Sequence, residues 1–465
     1  MNYVIYNGKN VRHLGSKKNA DFETMRVMRQ VIFLGTFLMP MIFSAVARPN
    51  NPSNYLIADS VLFAKRDSEK VISQIDLKDV FKKLFALSTR LIPKLSRGNG
   101  VVVHPLVHPV LHEDNDSSVV RNPDRVLFAP FPAVGYTLQT GITAIIAMNL
   151  SFYSSKNDGT NLSSVALNPA ASLSYPQFLV PLIFNIWSKE NRFNFTGDIR
   201  YYKYPTYTYG LGGHSSLSDA DLVNYSYIRI YQTTLKQIVR SKFYAGIGYN
   251  LDYHFDIKDE GAGKDFEAYN GNATKTVSSG LSLNLQYDSR KNINYPEDAT
   301  YANASYRYNS TLLGSNQNWE SLYLEFKKFV KLSKTSHNVL AFWSLNWFTF
   351  GGKPPYFDLP STGWDSYSNS GRGYIQGRLR GPSMLYLETE YRFGITKNGL
   401  IGGVVFVNAQ SVSEWGSGKF QTVLPGTGFG LRMKINKFSG ANLAIDYGFG
   451  TQGSRGLFFN ICEIF

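Results

Sequence analysis

From about Val126 to Phe465 the chain alternates apolar and polar residues in short runs separated by turn residues. This period of two belongs to strands with two unlike faces. Leu281, Leu283, Leu285 and Tyr287 alternate with Ser282, Asn284, Gln286 and Asp288, and Trp343, Leu345 and Trp347 alternate with Ser344 and Asn346. Phe429, Leu431, Met433 and Ile435 alternate with Gly430, Arg432, Lys434 and Asn436, and Leu443, Ile445, Tyr447 and Phe449 with Asn442, Asp446 and Gly448. The longest unbroken case runs from Leu385 to Phe393, where Leu385, Leu387, Tyr391 and Phe393 share one face and Tyr386, Glu388, Glu390 and Arg392 the other. Sixteen candidate strands, from 127–137 through 455–465, allow about 21 residues per strand and connection, which suits membrane strands of roughly 9–11 residues. The pattern predicts an all-β fold, a 16-stranded antiparallel transmembrane β-barrel over 126–465, greasy outside and wet within.

The first 125 residues read differently. Arg26 and Arg29 precede an apolar run from Val31 to Ala47 that ends in Ala45-Val46-Ala47, the small-x-small pattern of a signal-peptide cleavage site. Residues 1–47 are therefore read as a signal peptide with an over-extended start. Residues 48–125 are read as a short periplasmic segment. Its clearest element is an amphipathic helix from about Asp76 to Ile92, with Leu77, Val80, Phe81, Leu84, Phe85, Leu91 and Ile92 at three-four spacing and Lys78, Lys82, Lys83 and Arg90 opposite. Such a helix lies on a membrane, docks on a partner or packs on its own barrel. The following HPLVHPVLH spaces His104, His108 and His112 four apart, but Pro105 and Pro109 break a helix and leave an extended spacer.

Composition narrows the class. Aromatic residues make up 15% of the chain, with 40 glycines, as expected of repeated strands with aromatic girdles and glycine turns. The formal charge of +14 falls to +10 once the six bases and two acids of residues 1–47 are removed (14 − 4). Charged residues are only 18% and are spread along the chain, with no RNA-binding aromatic motif to concentrate them, so no nucleic-acid partner is expected. The single cysteine, Cys462, excludes an intrachain disulfide and a cysteine metal cluster. No Gly-x-Ser-x-Gly or His-Glu-x-x-His is present, and His214 with Ser215, Ser216 and Asp219 reads as a turn; no enzyme activity, cofactor or metal is expected.

The segment Gly371 to Phe393, GRGYIQGRLRGPSMLYLETEYRF, joins a Gly- and Arg-rich loop to the most regular strand. A loop arginine can fold into a barrel lumen and meet a carboxylate on the inner wall through charge-assisted hydrogen bonds. Here the sequence resembles the BamA/TamA-type outer-membrane barrels, the bacterial surface antigen family. The matching residues are Arg372, Gly373 and Tyr374, then Gly377 and Arg378, then Glu390 and Arg392. Tyr209-Gly210-Leu211-Gly212, Asp288-Ser289-Arg290-Lys291-Asn292 with Tyr295-Pro296, and Gly428-Phe429-Gly430-Leu431-Arg432 with Ile445-Asp446-Tyr447-Gly448 are similar to further stretches of that family. The ending GLFFNICEIF, with Phe459, Ile461 and Phe465, is similar to its C-terminal insertion signal.

The resemblance implies an outer-membrane location and a loop, about 351–381, folded into the lumen. It also implies a clamp of Arg372, Gly373 and Tyr374 on Glu390, with Glu388 a second candidate. Asn408 stands where family members often hold an Asp, and supplies no charge. The implied role is membrane-protein insertion or protein translocation through a strand-pairing seam. The implied partners are outer-membrane lipid and client outer-membrane proteins or a periplasmic partner chain. Residues 48–125 lack the βααββ pattern of POTRA modules, which keeps open a second reading, a passive pore or structural barrel.

Overall fold

In the computed structural model the chain divides into two compact units, Met1–Ile72 and Ser73–Phe465. The structure describes residues 127–155, 159–239, 241–261, 264–333, 338–366, 368–435 and 440–465, together with Asp76, Asp79 and Val80, all in the second unit. The expected signal peptide, the His-Pro spacer and most of the amphipathic helix lie outside these residues. At the expected start of that helix, the Asp79 amide donates to Asp76 Oδ1 (2.9 Å), the Asp76 amide donates to Asp79 Oδ2 (3.3 Å), and the Val80 amide donates to the Asp76 carbonyl (3.1 Å). That is a reciprocal helix N-cap.

Sixteen strands follow. They are β1 (Leu127–Thr137), β2 (Gly141–Phe152), β3 (Ser163–Leu167 and Ala170–Ser172), β4 (Phe178–Trp187), β5 (Phe193–Lys203 and Thr206–Thr208), β6 (Asp221–Gln237), β7 (Phe243–Asp259) and β8 (Thr276–Asp288). Next come β9 (Ala299–Asn309), β10 (Trp319–Lys331), β11 (Val339–Phe350), β12 (Ser383–Gly394), β13 (Ile401–Val412), β14 (Leu424–Lys434), β15 (Asn442–Phe449) and β16 (Arg455–Ile461). A short helix, α1 (Lys264–Asn270), sits between β7 and β8. Each strand pairs antiparallel with the next, from β1–β2 to β15–β16. With an even strand number, Leu127 and Ile461 lie at the same end of the sheet. Cα atoms of β1 and β16 come within 8 Å of each other, so the sheet is nearly closed, but no β1–β16 ladder forms among the described residues. Among the described residues no helix is long and apolar enough to cross a membrane, which says nothing about strands.

The sequence period decides which side faces where. On β8 the outward Leu281, Leu283 and Leu285 are 58–63% exposed, while the inward Ser282 and Asn284 are buried. Phe429 and Leu431 of β14 and Val405 and Val407 of β13 are likewise outward and exposed. A water-soluble sandwich buries its apolar face; this sheet buries its polar one.

Two expectations need correction. The interior is not uniformly wet: Val339, Ala341, Trp343 and Leu345 of β11 point inward, into a packed cluster with Tyr374, Leu379, Tyr386, Ile464 and Phe465. Alternation alone is symmetric and does not say which face is inner. A second apolar cluster joins Tyr202, Tyr225, Tyr227, Phe266, Phe357 and Trp364. The last strand also ends earlier than expected, at Ile461. Cys462 has φ of 75°, and the chain turns there into the lumen, where the Phe465 ring stacks on Trp343 at 5.2 Å.

Candidate functional site: a loop clamped in the barrel lumen

The β11–β12 connection, residues 351–382, occupies the interior. Tyr356, Leu359, Arg372, Tyr374, Arg378 and Leu379 on it are all at most 2% exposed. Its anchor is Arg372. Nη2 donates to Glu388 and to Glu390 Oε2 (2.5 Å), and Nη1 donates to Asp446 Oδ2 (2.7 Å). The guanidinium lies over the Phe406 ring at 3.6 Å. Glu388 and Glu390 are both inward because β12 alternates; they sit on it two residues apart, with Trp343 and Ala341 of β11 opposite.

The surrounding charges form one network. Arg392 Nε donates to Glu390 Oε1 (2.6 Å), Arg432 Nη1 to Asp446 Oδ1 (2.5 Å), and Arg432 Nε to Glu463 Oε2 (2.9 Å). Three arginines thus face four carboxylates, so each guanidinium holds acids that would otherwise repel one another. Tyr386 donates its hydroxyl to Glu388. Arg392 Nη2 donates to the Phe465 carbonyl (3.0 Å), tying the C-terminal turn to the same cluster.

Glycine makes room for the loop backbone. Gly373 has φ of 101°, and a Cβ there would lie 2.7 Å from the Phe449 carbonyl oxygen. On the facing wall a Cβ at Gly448 would lie 2.5 Å from the Gly373 nitrogen, and one at Gly426 would lie 3.0 Å from the Arg372 carbonyl oxygen. The arginine reaches its carboxylates because β14 and β15 present bare backbone at these points. Tyr374 donates its hydroxyl to the Pro425 carbonyl (2.5 Å) and accepts from the Thr451 amide (2.9 Å). Ser454 Oγ donates to the Gly373 carbonyl (2.8 Å).

The loop is held elsewhere too. Arg378 Nη2 donates to the Ser215 carbonyl (2.5 Å) and to Gln452 Oε1 (2.7 Å), joining the β5–β6 and β15–β16 connections. On the opposite wall Ser278 Oγ donates to Asp358 Oδ2 (2.5 Å), and Arg200 Nη2 donates to the Ser366 carbonyl (2.5 Å). On β7, directly across from Ser278, Asp252 accepts from Arg307 Nη1 (2.7 Å), Tyr227 (2.5 Å) and Tyr231 (2.6 Å). Burial, then the neighbouring Asp252 carboxylate, raise the pKa of Asp358 to about 7.

Of the residues singled out in the sequence, Arg372, Gly373, Tyr374, Glu388 and Glu390 come together at one point. Asn408 joins them differently, through Nδ2 donating to the Arg372 main-chain carbonyl (2.9 Å) rather than to the guanidinium. The third carboxylate, Asp446, stood in a quoted motif without an assigned role. Its inward parity, opposite Gly430, was the available signal. The Asp252 cluster gave no motif at all. Phe459 and Ile461 remain on β16, with Ile461 exposed, while Phe465 points inward and is 5% exposed. His214 is exposed and bonds Gln421 (2.9 Å), and Asp219 Oδ2 accepts from the Ser216 amide (2.7 Å) in a turn.

No protein-family model and no curated protein matches the chain. Solved structures do. The crystal structure of BamA from Haemophilus ducreyi lacking POTRA domains 1–3 is 16% identical, with a TM-score of 0.47, covering 73% of this chain and 75% of that one. CdiB from Acinetobacter baumannii is 14% identical, with a TM-score of 0.48, covering 72% of this chain. The chain is similar in structure to both barrels. It spans 59% of the length of CdiB.

Proposed function

We propose that the protein is an outer-membrane β-barrel of the assembly or translocation type, working through a weak seam between β1 and β16 and a loop clamped in its lumen. The single observation that carries this reading is the Arg372 clamp, in which one arginine of the lumenal loop meets three buried carboxylates on β12 and β15. The outward apolar face supports insertion in a bilayer, where every backbone polar group needs a partner. Short turns conventionally face the periplasm and long loops the outside. On that convention the end carrying Leu127 and Ile461 is periplasmic, and the long 351–382 connection enters from the outer side.

The chemistry is strand pairing, with no bond made or broken. An extended client strand would add to an edge exposed at the seam, its backbone hydrogen bonds supplying affinity. The filled interior argues against the alternative of an open pore, because two apolar clusters and the loop occupy the lumen. Depletion of the protein followed by a census of folded outer-membrane proteins tests the role. A fall in one or more folded client barrels is expected. An unchanged census, with the protein gone and the membrane otherwise intact, removes the assembly reading.

A further inference from the structure

The two edges of the seam are chemically unequal, and the inequality follows from parity. The Ile146 amide of β2 donates to the carbonyl of Pro169, which joins the two segments of β3 (3.0 Å), away from β1. Pro132 faces Ile146 and Pro130 faces Met148 in the β1–β2 register. In an antiparallel pair a residue's N–H and C=O point to the same side, so these are non-hydrogen-bonded pairs, and residues 130 and 132 turn their main-chain groups toward the free edge. Both are proline and have no N–H to offer. A complete β1–β16 ladder would leave two carbonyls of β16 without donors in lipid.

The edge of β16 has no such gap. The Cys462 amide donates to the Asn442 carbonyl of β15 (2.7 Å), so by the same parity residues 455, 457, 459 and 461 turn their main-chain groups to the seam. The seam-facing amide of Ile461 is satisfied locally, by Asn460 Oδ1 at 2.9 Å, instead of by β1. The strands still lie side by side: a Cβ at Gly456 would come 2.3 Å from the Leu138 side chain.

We infer that the edge of β16, residues 455–461, is the template on which an incoming extended strand pairs, and that Pro130 and Pro132 keep β1 from occupying it. The partner chemistry follows. It is an extended segment able to donate at every second residue, with apolar side chains on the lipid-facing side. This rests on the strand-pairing reading above.

The test uses full-length barrel folded in detergent micelles, with folding confirmed by heat-modifiable gel mobility. The probe is a fluorescein-labelled peptide of the Leu127–Thr137 sequence carrying Pro130→Val and Pro132→Val. Anisotropy is expected to show binding to the wild-type barrel, with binding at least about tenfold weaker to a barrel carrying the same two substitutions, whose own β1 then closes the seam. A photocrosslinker on the peptide should attach within 455–461, a readout needing only the wild-type chain. A labelled Arg455–Ile461 peptide should bind no better than its scrambled version. Crosslinking confined to 127–137, absence of binding by the first peptide, or equal binding by both barrels would overturn the inference. Peptide binding without any client loss on depletion would instead sink the assembly role and leave the edge assignment standing.

Discussion

Replacing Arg372 with alanine removes the only group among the described residues that touches Glu388, Glu390 and Asp446 together. The local balance shifts from three arginines against four carboxylates to two against four. Breaking a buried ion pair from one side costs about 3–5 kcal/mol, because the remaining charge stays buried and unmatched. The packing over Phe406 is lost as well, so the upper part of that range applies, a large share of the ~5–15 kcal/mol that holds a typical domain together. Urea unfolding of purified barrel, read by heat-modifiable mobility, measures the loss, and limited proteolysis of residues 351–382 reports release of the loop. Adding Glu388→Gln to Arg372→Ala should recover part of the loss, since it removes one of the stranded charges; a coupling of about 1–3 kcal/mol is expected. An Arg372→Ala barrel within about 0.5 kcal/mol of wild type, with its loop equally protease-resistant, would refute the clamp as an energetic anchor.

Other consequences follow from the same contacts. Gly448→Ala should cost about 1–3 kcal/mol by driving a methyl into the Gly373 backbone, whereas Gly394→Ala, with open space around its position, should be near neutral in the same unfolding assay. Phe465→Ala removes a ring buried against Trp343 and Phe329 and should cost about 3–5 kcal/mol in urea. For Asp358 the folded-state pKa of about 7 stands above its ordinary 3.8, so the stability it confers is complete below about pH 4 and is lost as pH rises through 7. Asp358→Asn should therefore be more stable than wild type at pH 8, and the gap should close by pH 4; a gap that widens toward acid contradicts the assignment.

The sequence carried much of this fold and most of the clamp. Strands such as β8 and β14 were legible because leucine and phenylalanine alternate with serine, asparagine and glycine, and the period survives whatever surrounds the strand. The sign of the alternation was not legible on β11. Trp343 and Leu345 face inward because the 351–382 loop and Phe465 bring apolar surface into the lumen, a fact set by residues far away in the chain. Glu388 and Glu390 could be placed on one face, but it takes the order of strands in the sheet and the fold of the loop to bring Asp446 of β15 to the same guanidinium. Phe465 was read as part of the last strand because nothing local marks Cys462 as a turn. Past Cys462, whose φ is positive, Glu463 accepts from Arg432 and the Phe465 main-chain oxygen accepts from Arg392, contacts that only the folded barrel supplies.

The function proposed for this barrel depends on residues 351–382 lying inside it, pinned at Arg372. Cysteine accessibility tests it most directly. In a Cys462→Ser background, Ser370→Cys places a thiol at a position 5% exposed on the loop, and Ser417→Cys places one on the exposed β13–β14 connection. In intact outer-membrane vesicles a bulky maleimide should label position 417 readily and position 370 only after heat unfolding. Labelling of both at the same rate in the folded protein would contradict the claim.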